Sequence, residues 1–236
     1  MILPCAYPER TFGMRLLFFD MEFADGRVPG SVFSFGYVMT DENFKILTPP
    51  TDICINPESS WNGYVLHHIL AYPKKVIDDS PNFPKVYPQI RKLFEKADLA
   101  VGFAVKNDIT ALKKDCERYS LPQIPYRWMD TEQLCRMLGE YPEAHGLSGY
   151  VQAWCKKIPE HQHRSDGDAL ATMLLLEAIC KSKHVTPAML TEAFPACTGY
   201  TIPPQKKRGW FSRLCSLFRI RKPESKKKTA LPEKRI

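Results

Sequence analysis

The sequence predicts an α/β domain in which helices pack against a mixed sheet. Three observations carry that prediction. Residues 16–19 and 97–104 are apolar or nearly apolar runs of strand length, the pattern of strands covered on both faces. Residues 32–39 are rich in aromatic and β-branched side chains, and Asp41, Glu42 and Asn43 turn them into a second run at 44–47, which reads as an antiparallel meander. Further along the chain, strand-like runs alternate with segments of helical period, as in a layered α/β domain.

Taken in order, residues 1–13, with Pro4, Pro8 and Gly13, are an irregular lead-in, and 14–20 form the first strand. A turn through Asp25, Gly26, Pro29 and Gly30 leads to the second strand at 32–39. The third strand runs over 44–47 and resumes at 52–55, beyond Pro49 and Pro50. Residues 58–70 read as a helix capped by Asn56 or Ser59, and 73–84 as a loop. Val86, Ile90, Leu93 and Phe94 give helical spacing to 86–96, and a strand at 97–104 follows. Ile109, Leu112, Cys116 and Tyr119 form the apolar stripe of a helix over 107–119. A short strand at 126–129 precedes helices at 131–138, 147–156 and 166–183. The expected organisation is a lead-in at 1–13, a main domain at 14–185, an ordered extension or linker at 186–205 and a separate tail at 206–236.

With 44% hydrophobic and 25% charged residues, the 236-residue chain has material for one good-sized core. No apolar stretch approaches the roughly 20 residues needed to span a bilayer, which excludes a transmembrane protein. The eight cysteines form no C-x-x-C pair and no secretory apolar segment opens the chain, so reduced thiols and a cytoplasmic location are expected. The net charge of +7 is concentrated in the tail. Residues 206–236 hold twelve Lys or Arg and two Glu, which leaves 21 basic and 24 acidic residues in the rest, a balance of −3.

The chemistry is carried by acids at element ends. Asp20 and Glu22 follow the run Leu16–Phe19, and side chains two apart on a strand share a face. Two adjacent carboxylates repel unless a cation lies between them; alone, such a pair reads as a solvated turn. Asp108, in VGFAVKND, stands where a buried strand hands over to a helix, and alone it reads as a first-turn acid favoured by the helix dipole. Both acids nevertheless sit at carboxyl ends of strands, where ligands collect in α/β sheets. His163 and Asp168 form an H-x4-D pair at the start of a strongly apolar helix, where a buried acid must meet a cation or donors. His161 ranks below His163. Asp130 and Thr131 read as a helix cap and are kept out of the site.

The ordered set FDMEFADG, VGFAVKND with a helix after it, MDT and HRSDGDA resembles the DEDDh family of 3′-to-5′ exonucleases. Members of that family include the proofreading subunit of bacterial DNA polymerase III, ribonuclease T and oligoribonuclease. The resemblance spans about residues 14–183. It implies a ribonuclease-H-like five-stranded sheet, three antiparallel strands plus two parallel, flanked by helices. It also implies metal ligation by Asp20, Glu22, Asp108 and Asp168, with His163 as general base. The implied reaction is hydrolysis at nucleic-acid 3′ ends, releasing nucleoside 5′-monophosphates with two Mg²⁺ or Mn²⁺ ions. Phe23, next to the first acid pair, is a candidate contact to the terminal base and equally a core residue. Phe103, Ala104 and Asn107 depart from the aromatic and His-Asn pattern before the second acid.

Single-stranded DNA or RNA 3′ ends are the implied partners, and the residues favour neither polymer. The tail KKRGWFSRLCSLFRIRK has three readings. One is an amphipathic segment for an anionic membrane surface or for a partner such as a polymerase, another a salt-dependent contact to phosphates, and the third a solvated basic tail. Two other classes remain beside the exonuclease. A silent binding module acting through the tail has no reason to retain repelling acids, and an endonuclease on this sheet would not need the final His motif.

Overall fold

The computed structural model describes residues 13–28, 30–156 and 164–203. Its strands are β1 (Arg15–Phe23), β2 (Val32–Asp41), β3 (Ile46–Cys54), β4 (Leu99–Gly102), β5 (Arg127–Asp130) and β6 (Thr198–Tyr200). They form one mixed sheet in the order β3-β2-β1-β4-β5-β6. The first three strands pair antiparallel, β4 is parallel to β1 and β5 to β4, and β6 closes that edge antiparallel to β5. The helices are α1 (Lys74–Asp78), α2 (Phe83–Lys96), α3 (Lys106–Arg118), α4 (Thr131–Leu138), α5 (Gly146–Cys155), α6 (Ser165–Lys183) and α7 (Pro187–Ala193).

The apolar run of β1 is covered on both sides because its side chains alternate between two cores. Leu17, Phe19 and Met21 enter one core with Ile90 and Phe94 of α2 and Leu112 of α3. Leu16 and Phe18 enter the other with Tyr150 of α5 and Leu175, Leu176 and Ile179 of α6. Phe19 meets Phe94 edge-on at 5.2 Å, and Phe94 stacks on Tyr126 at 4.1 Å. Each fully buried large side chain of this kind contributes roughly 1.5–3 kcal/mol, so β1 is firmly fixed as the axis of the domain.

Four segments depart from the sequence expectation. β3 runs unbroken through Pro49 and Pro50, which an edge strand tolerates because one row of its N–H groups has no partner to lose. In place of a helix over 58–70 there is a π-helical turn at Val65–Ile69. Upstream, Glu58 takes a positive φ of 44° and Asn62 turns the chain by accepting from the Tyr64 N–H at 2.8 Å. The expected loop at 73–84 contains α1. The stretch read as an extension supplies α7, a 3-10 turn at Pro195–Cys197 and the sixth strand. β6 is only Thr-Gly-Tyr, too short for a period to show.

The chain divides into two units, Met1–Pro203 and Pro204–Ile236. The lead-in 1–12, Pro29, residues 157–163 and the basic tail lie outside the described residues. Among the described residues, no helix is long and apolar enough to cross a membrane.

Candidate active site

On the face of β1 that carries Leu16 and Phe18 the next two positions are Asp20 and Glu22, so the apolar stripe ends in two half-buried acids. Across the ladder, Gly36 of β2 stands opposite Asp20 and Ser34 opposite Glu22. On the far side of β2, Asp52 of β3 pairs with Gly36 and Cys54 with Ser34. Paired positions share a face, so Asp20, Gly36 and Asp52 form one row and Glu22, Ser34 and Cys54 the next.

The start of α6 lies on that face, and Gly36 is the reason it can. A Cβ at Gly36 would collide with the carbonyl carbon of Ser165 and the backbone nitrogen of Asp166. The backbone of the first turn of α6 therefore sits directly on β2, and Asp168 belongs to that turn. Carboxylate oxygens of Asp20, Glu22 and Asp168 all lie within 4.8 Å of one another.

Asp108 arrives from the other core. It is in the first turn of α3 and only 4% exposed. The turn between β4 and α3 is held from below by Asp130, whose Oδ1 accepts from the Ala104 N–H at 3.2 Å while capping α4 through the N–H groups of Glu132 and Gln133. Ala104 is in the left-handed region at φ 52°, a conformation that costs a non-glycine residue energy and that this bond helps to hold. Asp130 is thus the cap that its sequence position implied, and it also steers the approach to Asp108.

The electrostatics bind the four acids into one cluster. Burial, and then the charges of Asp108, Glu22, Asp168 and Asp52, hold the Asp20 carboxyl well above the ordinary range. Burial, Asp168 and Asp52 push Glu22 up to about 8. Asp108 is raised by burial and by Glu22, against the pull of its own N–H and that of Met21. The neighbours acting on Asp20 and Glu22 are themselves acids, so the ionised form is disfavoured until positive charge enters. The trio offers oxygen donors only, which suits a hard divalent cation such as Mg²⁺ or Mn²⁺ and not a site built of thiolate or imidazole.

Of the residues singled out in the sequence, Asp20, Glu22 and Asp168 converge, and Asp108 acts on Asp20 and is itself raised by Glu22. His163 and His161 lie outside the described residues. Phe23 is half-buried and packs against the core that holds Phe19 and Met21, the core on the other face of β1 from Asp20. The sequence reading missed Asp52. An acid in a proline-interrupted edge strand carries no motif, and only the β2–β3 register brings it to the site.

The exonuclease family model, RNase_T, matches residues 17–176, a span that takes in most of β1, all of β2 to β5 and most of α6. The chain belongs to the exonuclease family. The resemblance carried by FDMEFADG, VGFAVKND and HRSDGDA therefore holds at the level of the family. This exonuclease is 31% identical over 132 residues to the PolC-type DNA polymerase III of Lacticaseibacillus paracasei, an alignment that takes in 55% of this chain and 9% of that protein. The chain thus spans about a tenth of that relative.

Among solved structures, exonuclease X in complex with 5′-overhanging duplex DNA matches with a TM-score of 0.56 and 20% identity, over 75% of this chain and 97% of that one. A 3′-exonuclease in a structure of 3′-end-specific recognition of a histone mRNA stem-loop matches with a TM-score of 0.62 and 10% identity, over 75% and 85%. The nuclease domain of a 3′-exonuclease described as a DEDDh family member, bound to rAMP, matches with a TM-score of 0.61 and 10% identity, over 73% and 94%. At these identities the likeness is one of fold, which is the ribonuclease-H-like mixed sheet.

Proposed function

We propose that this exonuclease works from 3′ ends, hydrolysing single-stranded nucleic acid to nucleoside 5′-monophosphates with two divalent cations. The observation that carries the reading is the convergence of Asp20, Glu22 and Asp168 within 4.8 Å, where the charges that raise Asp20 and Glu22 are all those of acids. Asp20, Glu22, Asp108 and Asp168 would hold the ions. When bound, Mg²⁺ or Mn²⁺ would lower the pKa of an attacking water and offset charge on the leaving 3′ oxygen. His163 would take the water proton; an unperturbed imidazole titrates near ~6.5, so the residue type suits that role at neutral pH. Asp20, on a central strand and facing the charges of Asp108, Glu22, Asp168 and Asp52, would hold the ions beside Glu22, Asp108 and Asp168.

Two further features support the reading. The donors reach the site from β1, α3 and α6, rigid elements packed on opposite sides of the sheet, so the cluster is preorganised. Relatives of the same fold include structures with duplex DNA and with an RNA stem-loop, so both polymers belong in the assay. The experiment is to incubate 5′-labelled single-stranded DNA and RNA oligomers, beside a circular single strand, with Mg²⁺ or Mn²⁺. A ladder shortening from the 3′ end, an intact circle and loss of all cleavage with chelator are expected. Cutting of the circle would point instead to an endonuclease, and metal-independent binding without product to a binding module.

A further inference from the structure

We propose that Asp52 is a positioning residue of this site: it fixes the first turn of α6, and with it the Asp168 carboxylate, against the sheet face that carries Asp20 and Glu22. The inference rests on the reading of Asp20, Glu22 and Asp168 as metal ligands.

Asp52 is committed to protein hydroxyls at both oxygens. Its Oδ1 accepts from Ser34 Oγ at 2.7 Å and from Ser165 Oγ at 3.1 Å, and its Oδ2 accepts from Tyr72 OH at 2.7 Å. The Ser34 and Ser165 hydroxyls also touch each other. Both serines are buried, at 1% and 0% exposure, so a hydroxyl there must find an acceptor in the protein. A carboxylate can serve three donors at once through charge-assisted bonds, here two at Oδ1 and one at Oδ2. Asp52 is not one of the three acids whose oxygens cluster, and its saturated hydrogen bonding explains why it is a holder of protein and not of an ion.

What Asp52 holds is the entry of α6. Arg164, at the N-cap of α6, gives no side-chain cap, so the helix start lacks the usual local fixture. Two contacts across to the sheet take that role, the backbone seat on Gly36 and the Ser165–Asp52 bond. Asp168 follows Ser165 by three residues, on the same side of the helix one turn on. The other oxygen of Asp52 fastens Tyr72, whose ring lies 5.3 Å from the Arg164 guanidinium, and Arg164 pairs with Asp166 at 3.0 Å. Strand β3, strand β2, Tyr72 and the start of α6 therefore meet at a single carboxylate.

The test is Mn²⁺ binding by the full chain without substrate, read from the electron paramagnetic resonance of the free ion, for wild type, Asp52→Ala, Ser165→Ala and the double variant. Ser165→Ala changes no charge, so it separates positioning from the field of Asp52. Ser165→Ala and Asp52→Ala should each weaken Mn²⁺ binding about 10-fold, as loss of the partner that orients a metal ligand does. The double variant should bind no more weakly than Asp52→Ala, because both changes break the Ser165–Asp52 bond. Circular dichroism at the working temperature confirms that each variant is folded; should Asp52→Ala not fold, Ser165→Ala decides alone. Wild-type affinity in Ser165→Ala, or losses that multiply in the double variant, overturns the proposal. A wild-type chain that binds no Mn²⁺ overturns the reading of the site and the proposal with it.

Discussion

Gly36 stands directly across the β1–β2 ladder from Asp20, and the backbone of Ser165 and Asp166 occupies the space that a side chain at Gly36 would need. The acid on the central strand and the helix that brings Asp168 are thus set by one missing methyl group. Gly36→Ala should push the start of α6 off the sheet, lower stability by about 1–3 kcal/mol as overpacking does, and weaken Mn²⁺ binding more than a stability loss alone explains. Thermal melts and metal titration of the same sample check both effects.

The acid cluster should make the metal-free protein less stable as pH rises. Glu22 is pushed up to about 8 from an ordinary value of 4.5, so between these values the folded chain binds a proton that the unfolded chain has released. Stability from this source is fully present below pH 4.5 and is lost as pH climbs through about 8. Asp20 and Asp108 are raised in the same direction and add to the effect. Thermal melts in chelator across that window should fall with pH, and Glu22→Gln should flatten the slope.

Metal should reverse the trend. Mg²⁺ or Mn²⁺ favours the ionised acids, so its stabilising effect should be larger at pH 8 than at pH 6. At ~100 times Kd, binding stabilises by roughly 2.7 kcal/mol, about 5–10 °C in melting temperature for a domain of this size. Melts with and without Mn²⁺ at the two pH values give the comparison; an equal shift at both would separate the ion from these carboxylates.

Asp130 is predicted to matter for stability and for the seat of Asp108, without touching an ion. Asp130→Ala removes the acceptor for three N–H groups, those of Ala104, Glu132 and Gln133. Loss of the cap should cost about 1–2 kcal/mol, readable as a lowered urea midpoint, and Asp130→Asn should recover most of it.

Much of this was legible in the sequence because strong local signals did the work. The two-faced burial of β1 could be read from Leu16–Phe19, and the acids that end it from their period of two. Asp108 could be read because it opens a helix with a clear apolar stripe and Asp168 because it opens one that is strongly apolar, and α4 was read to its residue limits because Asp130 caps it. The π-helical turn after Trp61 has no clear period, β6 has three residues, and Pro49 and Pro50 disguise an edge strand as a break. Asp52 shows the limit most plainly. Its role depends on a strand register and on hydroxyls from β2, α6 and Tyr72, and those meet only in three dimensions.

The central claim is that Asp20 anchors the metal site of a 3′-end exonuclease. Its most direct test is the cleavage rate of a 5′-labelled single-stranded oligomer in Mn²⁺ by wild type and by Asp20→Asn, with both shown folded. The account predicts a 3′-shortening ladder for the wild type and a rate lowered about 10³-fold for the variant, the loss of roughly 4 kcal/mol of charge stabilisation in the transition state. An Asp20→Asn variant that produces the same ladder at the same rate would contradict it.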